Sequence, residues 1–517
     1  MRIPSGFSGW AAGLLHRVRP LRGIFAQSWR KVLRTLLVCL GFAVYLGAQF
    51  GIGYAISADR AALLSIVLFT MGMLLASAIW PIVGLVVLIV VTPLAQGFLG
   101  VSGGGLPDIG FEAVMVPALA LFILYRTLAK RDEGTKLNIP ICLIMLYVVY
   151  SAANLWFRGS VSLNTYRGIV QYTGFWPLAY LIVLGAVRNE RHVRAVLISL
   201  VALAFAQGVA LIIEHFTGYA YLSLFYGRAI PLAALGWGDI GVGRSVGLFS
   251  NPVGPSVFLA ASVAIAVHLA RLTKVKMAKV IYLLVIAVIC LGAFYTYTRN
   301  VYIMLALTPL LMLVLAARSR PVYGLMVLVG FVVIAGLSPA WMEDRQFNDR
   351  ITNVGNIDAR LGMNRTAMVM IRNNLWFGVG WRNYTSRVRE YYTSVAEQKG
   401  MIDRTTRKAI PSTVHNTYLI VLAENGLVGA VLYFGALLGF FALMWRSWRR
   451  AKPNDGLLGR DLLAIFVLFM VLLFMQFAAY SSYDPTVNVL TWIILGLGVR
   501  SFQLYDKAAT AGRVEAA

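Results

Sequence analysis

Apolar residues in this chain come in unbroken runs of about 20. They show neither the i, i+3, i+4 stripes of a soluble helix nor the alternation of a half-buried strand. A helix of that length rises about 30 Å, the thickness of a bilayer's hydrocarbon. The first run covers about Thr35 to Ile56. Others follow near 61–79, 82–99, 112–129, 139–157, 167–187, 195–214, 251–270, 280–298, 301–317, 322–339, 414–445, 461–480 and 487–501. The pattern predicts an all-α, polytopic transmembrane bundle of about 14 spans, within a range of about 12 to 14. The count is least fixed in the first 110 residues, where only Trp80-Pro81 separates the second and third runs.

Composition sharpens this picture. Of 517 residues 59% are hydrophobic and 13% charged, against about 25% charged in a soluble domain. Such a chain cannot cover its core with polar side chains, which excludes a soluble enzyme, a nucleic-acid-binding domain and a disordered protein. The 46 basic against 21 acidic residues fit the excess of Lys and Arg on cytoplasmic loops. Arg2, Arg17, Arg19, Arg22, Arg30, Lys31 and Arg34 precede the first run with no acid among them. Further basic clusters fall at 126–138, 188–194, 271–279, 318–320 and 446–460, each in an alternate connection, so both termini are expected inside. The three cysteines, Cys39, Cys142 and Cys290, lie in separate apolar runs and read as inert core residues.

The chain accordingly divides into a basic cytoplasmic segment (1–35), helices 1–11 (36–339), a long outer loop (340–413), helices 12–14 (414–501) and a cytoplasmic tail (502–517). The outer loop carries twelve basic and seven acidic residues. Its apolar stretches at Met368–Ile371 and Leu375–Phe377 predict short amphipathic helices at the membrane face. A loop of this length is usually functional.

No phosphate loop, zinc-protease motif, Cys-x-x-Cys pair or carboxylate cluster occurs, so neither a metal nor a cofactor is expected. The candidate chemistry lies on the outer side. His415, where the long loop re-enters the membrane, has a side chain whose proton moves near neutral pH and suits a general base; position alone favours the commoner role of a loop hydrogen bond. Arg244, Arg299, Arg360 and Arg365 present guanidinium groups that bind phosphate oxygens in pairs or snorkel to lipid headgroups. Glu424 lies about 13 Å along the helix from His415, at a depth where an acid is functional or pairs a buried donor. Gly426 and Gly429 beside it would admit another helix closely.

These residues form a recognisable pattern. His415-Asn416-Thr417-Tyr418-Leu419 followed by Glu424-Asn425-Gly426-Leu427-Val428-Gly429 resembles the H-N-x-Y-L…E-x-G-x-x-G signature of the bacterial O-antigen ligase and polysaccharide polymerase superfamily. Arg360-Leu361 leading to Gly378-Val379-Gly380 and Asn383-Tyr384 is similar to that family's loop segment. Thr298-Arg299 resembles its Ser/Thr-Arg turn, and Phe249-Ser250-Asn251-Pro252 its F-x-N-P start of a helix. Asn364 stands where the family often has tryptophan. The resemblance spans about Arg244 to Phe441.

It implies an inverting, metal-independent glycosyltransferase of the membrane-embedded GT-C type in the bacterial inner membrane, its active site periplasmic. The donor would be a glycan on undecaprenyl pyrophosphate; the acceptor, a sugar hydroxyl on a lipid-linked repeat unit or on lipid A-core. His415, Arg299 and Arg360 would be catalytic. Arg244, Arg365, Asn251, Asn416, Tyr418 and Glu424 would bind substrate. The product would be O-antigen or exopolysaccharide, made by polymerisation or, alternatively, by ligation to lipid A-core. A lipid-linked oligosaccharide flippase or transporter is the rival from another class, with Asn251-Pro252-Val253-Gly254-Pro255 as the one place that could mark a broken helix.

Overall fold

The computed structural model describes residues 79–101, 138–158, 173–219, 245–249, 253–315, 355–388, 390–391, 414–450, 456–478 and 485–516, with a few isolated positions besides. The chain divides into two units, Met1–Trp80 and Pro81–Ala517; the architecture below is that of the second. The described residues are helical apart from turns and connections. The helices, in order, are α1 (Pro81–Val101), α2 (Ile139–Phe157), α3 (Phe175–Ala186), α4 (Glu190–Thr217), α5 (Val253–Leu272), α6 (Lys276–Phe294), α7 (Arg299–Leu315), α8 (Gly355–Asn373), α9 (Thr417–Arg450), α10 (Gly456–Ala478) and α11 (Pro485–Ala516).

Five stretches among the described residues are long and apolar enough to cross a membrane: α2, α4, α6, α9 and Val487–Ala508 of α11. Shorter apolar helices pack among them. This is a membrane protein built of helices. The apolar runs expected near 35–56, 61–79, 112–129 and 322–339 lie almost wholly outside the described residues. The last helix continues to Ala516, so residues expected as a tail from 502 are helical.

Local sequence sets the helix ends. Asn138 caps α2 by accepting the Ile141 N–H at 3.1 Å, with Pro140 in the first turn where no N–H is needed. Asn189 caps α4 the same way through His192. Gly218, at φ 72°, ends α4 by returning its N–H to the Glu214 carbonyl, the left-handed stop that glycine permits.

Helices in lipid gain little from the hydrophobic effect, so close backbone approach and buried polar bonds hold them together. At the α4–α6 crossing a Cβ on Gly292 would fall 2.6 Å from the Gly208 Cα, so no larger residue fits. Trp176 of α3 stacks between Tyr147 of α2 and Trp492 of α11, its ring centroid 6.1 and 5.6 Å from theirs. Cys142 is exposed and Cys290 partly so. Cys142 is thus not the core residue expected, whereas Cys290 is largely enclosed; Cys39 lies outside the described residues.

Polar contacts show which helix ends lie together. His268, near the end of α5, bonds Asp461 at the start of α10. Tyr418, at the start of α9, donates to the Leu473 carbonyl near the end of α10. The starts of α5 and α9 therefore share one end of the bundle, and the basic segments 271–279 and 446–450 share the other. Charge alternation in the sequence makes the same partition.

Candidate functional site

At the end of the bundle where α9 starts, Asn416 accepts the N–H groups of Tyr418 and Leu419 at 3.0 and 3.1 Å. It is the N-cap of α9, a role that fixes His415 directly before the helix. His415 is half-buried and lies next to the buried Val414. Tyr418 packs its ring on Phe477, centroids 4.4 Å apart.

Helix α9 is not continuous. Gly426 has φ 62° and ψ −165°, which breaks the ladder and exposes carbonyls before it and N–H groups after it. A loop supplies the missing partners. Val379 and Gly380 donate to the carbonyls of Ala423 and Glu424 at 2.9 and 2.8 Å, while Leu427 and Val428 donate to those of Leu375 and Trp376. Gly378, at φ 65°, faces this break. A Cβ on Gly378 would sit 2.4 Å from the Glu424 carbonyl, and one on Gly426 would sit 2.4 Å from that of Trp376. Backbone meets backbone here, so only glycine fits either position. The loop thus fills the gap beside Gly426, where the sequence suggested a second helix; α2 takes Gly429, with the Tyr150 ring against it.

Helix α2 closes the other side of the break. Asn154 donates to the Phe377 carbonyl at 2.7 Å. Ser151 donates to the Asn425 side chain, and Tyr150 to the Asn425 carbonyl. Asn425 in turn donates to Tyr147. Every one of these groups would be costly to leave unpaired away from water.

Glu424 is 1% exposed. Its carboxylate accepts the Tyr384 N–H at 3.3 Å and the Arg382 N–H, with the Arg382 guanidinium adding a favourable charge. The acid is therefore keyed into the turn that follows Gly380. Burial, with the Glu424 charge adding to it, pushes the Tyr384 phenol above its ordinary value; it stays protonated and donates to the Met363 carbonyl of α8.

Helix α8 is amphipathic, as expected for the long loop. Met363, Thr366, Ala367, Met370 and Ile371 are buried; Arg360, Arg365 and Arg372 are exposed. It runs for nineteen residues, more than the short helices anticipated.

A second anchor stands at the end of α4. Glu214, fully buried, accepts the N–H groups of Val246 and Gly247 at 2.7 and 2.8 Å. Gln207 takes the Leu248 N–H and donates to the Val246 carbonyl. His215 stacks on Tyr295 at 3.8 Å between centroids, beside the turn that leads through Thr298 into Arg299. One helix end thus holds the segment next to Arg244 and the turn bearing Arg299. Arg244 and Asn251 lie outside the described residues, and of Arg299 only the backbone, at the start of α7, is described.

Two non-glycine residues among those described have positive φ: Tyr297 (47°) and Arg382 (60°). Each costs about 1–3 kcal/mol, which the surrounding contacts must outweigh, and such strain gathers at functional sites. Both lie in arginine-bearing turns at this end. No group of three metal-ligand side chains occurs among the described residues.

Residues 283–434 match the model of a protein family described as O-antigen ligase. The chain therefore carries a segment of the O-antigen ligase type, in line with the motif resemblance to that superfamily. The matched O-antigen ligase segment runs from within α6 to the middle of α9. It includes Arg299, Arg360, Arg365, the G-x-G loop, His415, Asn416, Tyr418 and Glu424, and excludes Glu214, whose role no motif signalled. No curated protein matches the chain significantly.

Proposed function

We propose that this protein transfers glycan from an undecaprenyl-pyrophosphate carrier to an acceptor sugar hydroxyl, with inversion, at the periplasmic face of the bacterial inner membrane. The observation that carries the reading is the O-antigen ligase match over a segment that contains His415, Arg299 and Arg360. His415 takes the proton of the acceptor hydroxyl as its oxygen attacks the anomeric carbon. The bond from that carbon to the diphosphate breaks, and the electron pair leaves with the lipid-linked pyrophosphate. Arg299 and Arg360, aided by Arg244 and Arg365, stabilise the growing negative charge. Preorganised cations in a partly dry site suit this task. Asn416 and Tyr418 hold the start of α9, so the proton acceptor keeps its position. No metal takes part in these steps.

Turnover of a defined undecaprenyl-pyrophosphate oligosaccharide by the purified full chain, with chelator present, tests the reading. His415→Ala should lower turnover by about 10²- to 10⁴-fold; unchanged turnover would sink the assignment. The basic outer loop, suited to an acidic polysaccharide, favours polymerisation. The matched family's description favours ligation. Growth of carrier-linked chains in the assay identifies a polymerase, and transfer only to added lipid A-core identifies a ligase.

A further inference from the structure

The turn Gly380–Arg382 is more firmly built than a connecting loop needs. Trp381 is 1% exposed, and its ring lies 3.2 Å from where a Cβ on Gly168 would be. Gly380 bonds the Glu424 carbonyl, Asn383 donates through its side chain to Val379, and Glu424 holds the backbone of Arg382 and Tyr384. Out of this fixed frame the Arg382 side chain reaches the surface, its guanidinium carbon 5.8 Å from the Trp381 ring centroid. A turn that merely reversed the chain would be met without strain by glycine or asparagine at φ 60°. Arginine at this φ carries a conformational cost that its surroundings must hold in place.

A second guanidinium comes from a distant part of the sequence. Arg158 follows α2, and its Cβ and Cγ lie 3.7 Å from where a Cβ on Gly380 would be. It too is exposed. The Asn154 bond to Phe377 locks α2 to the loop in this register. The Arg158 stem thus packs against Gly380, two residues before Arg382, and the buried Glu424 holds the backbone of that same turn.

We propose that Arg158 and Arg382 form a phosphate-binding site at the rim of the broken helix, with Glu424 as the positioning residue that sets the Arg382 turn. Paired, planar guanidinium groups match phosphoryl oxygens in fork geometry. The phosphate belongs either to a diphosphate substrate or to a lipid headgroup. The inference rests on the reading above only for the identity of the diphosphate, not for the site.

The test is titration of the purified full chain with inorganic pyrophosphate, read by tryptophan fluorescence, with Trp381→Phe identifying the signal from that ring. A saturable change is expected, weakened at least tenfold in Arg158→Gln and in Arg382→Gln and less in Arg382→Lys. Glu424→Gln should weaken binding several-fold in the parent but have no further effect in Arg382→Gln, a coupling that a merely structural acid would not show. If Arg382→Gln does not fold, Arg158→Gln and Arg382→Lys decide. No saturable response, or equal affinity in the arginine variants, overturns the proposal. In nanodiscs, loss of the response in phosphatidylglycerol but not in phosphatidylcholine supports the site with a lipid headgroup as occupant. Retention in both supports it with a diphosphate. Because pyrophosphate binding is read without turnover, its persistence in a turnover-dead His415→Ala protein separates this site from the catalytic reading.

Discussion

Glu214 and Glu424 are two buried acids at one end of the bundle, and both hold loops by the backbone. Glu214 closes the end of an intact helix, and its two short bonds go to Val246 and Gly247. Glu424 lies just before a break inside a helix, where four further backbone bonds join the loop to the chain. Among the described residues, the first segment is held by two side chains of α4, Gln207 and Glu214. The second is woven into the helix it serves. The same chemistry therefore yields two degrees of fixity. The looser frame belongs to the segment beside Arg244, the tighter to the turn carrying Arg382.

Substitutions can break this comparison. The largest effect is expected for Gly378→Ala or Gly426→Ala, where the added methyl meets backbone at 2.4 Å and nothing flexible can yield. The cost should be about 3 kcal/mol or more, seen as loss of folded protein in thermal denaturation. Next comes Glu214→Ala, which strands the Val246 and Gly247 N–H groups and should cost about 2–4 kcal/mol by the same measurement. Glu424→Ala should cost less in global stability than Glu214→Ala, since the interwoven bonds survive, although it loosens the Arg382 turn. Equal losses would erase the distinction drawn here. Asn425→Ala, which removes the bonds to Ser151 and Tyr147, should cost about 1–3 kcal/mol. Smallest is Tyr150→Phe, which deletes one hydrogen bond to the Asn425 carbonyl at about 1 kcal/mol.

The site was partly legible in the sequence. His415, Asn416, Tyr418 and Glu424 stood out because polar groups are rare in such a chain and these four fall within ten residues. Glu214 has the same burial and the same task, but it sits at the end of an apolar run where an acid reads as interfacial. Nothing in the sequence around Arg158 and Arg382 distinguishes them from other loop arginines. Asn251-Pro252, the one place in the sequence that could mark a broken helix, lies outside the described residues. The break among the described residues lies at Gly426, inside a run that reads as unbroken, because the loop's donors and acceptors satisfy the backbone groups it frees.

By itself the sequence determined the helical membrane class, the positions of most of the described membrane helices, which ends share a side, and the likeness of one segment to the O-antigen ligase family, because hydropathy, charge alternation and local motifs act over short stretches of chain. Only the tertiary structure decided that Asn154, Phe377 and Glu424 meet around one break, that Glu214 and Gln207 hold residues 246–248, and that Arg158 packs against the turn at Gly380. Those meetings join segments up to 270 residues apart. They depend on which unpaired backbone groups the packed bundle leaves for a distant segment to satisfy.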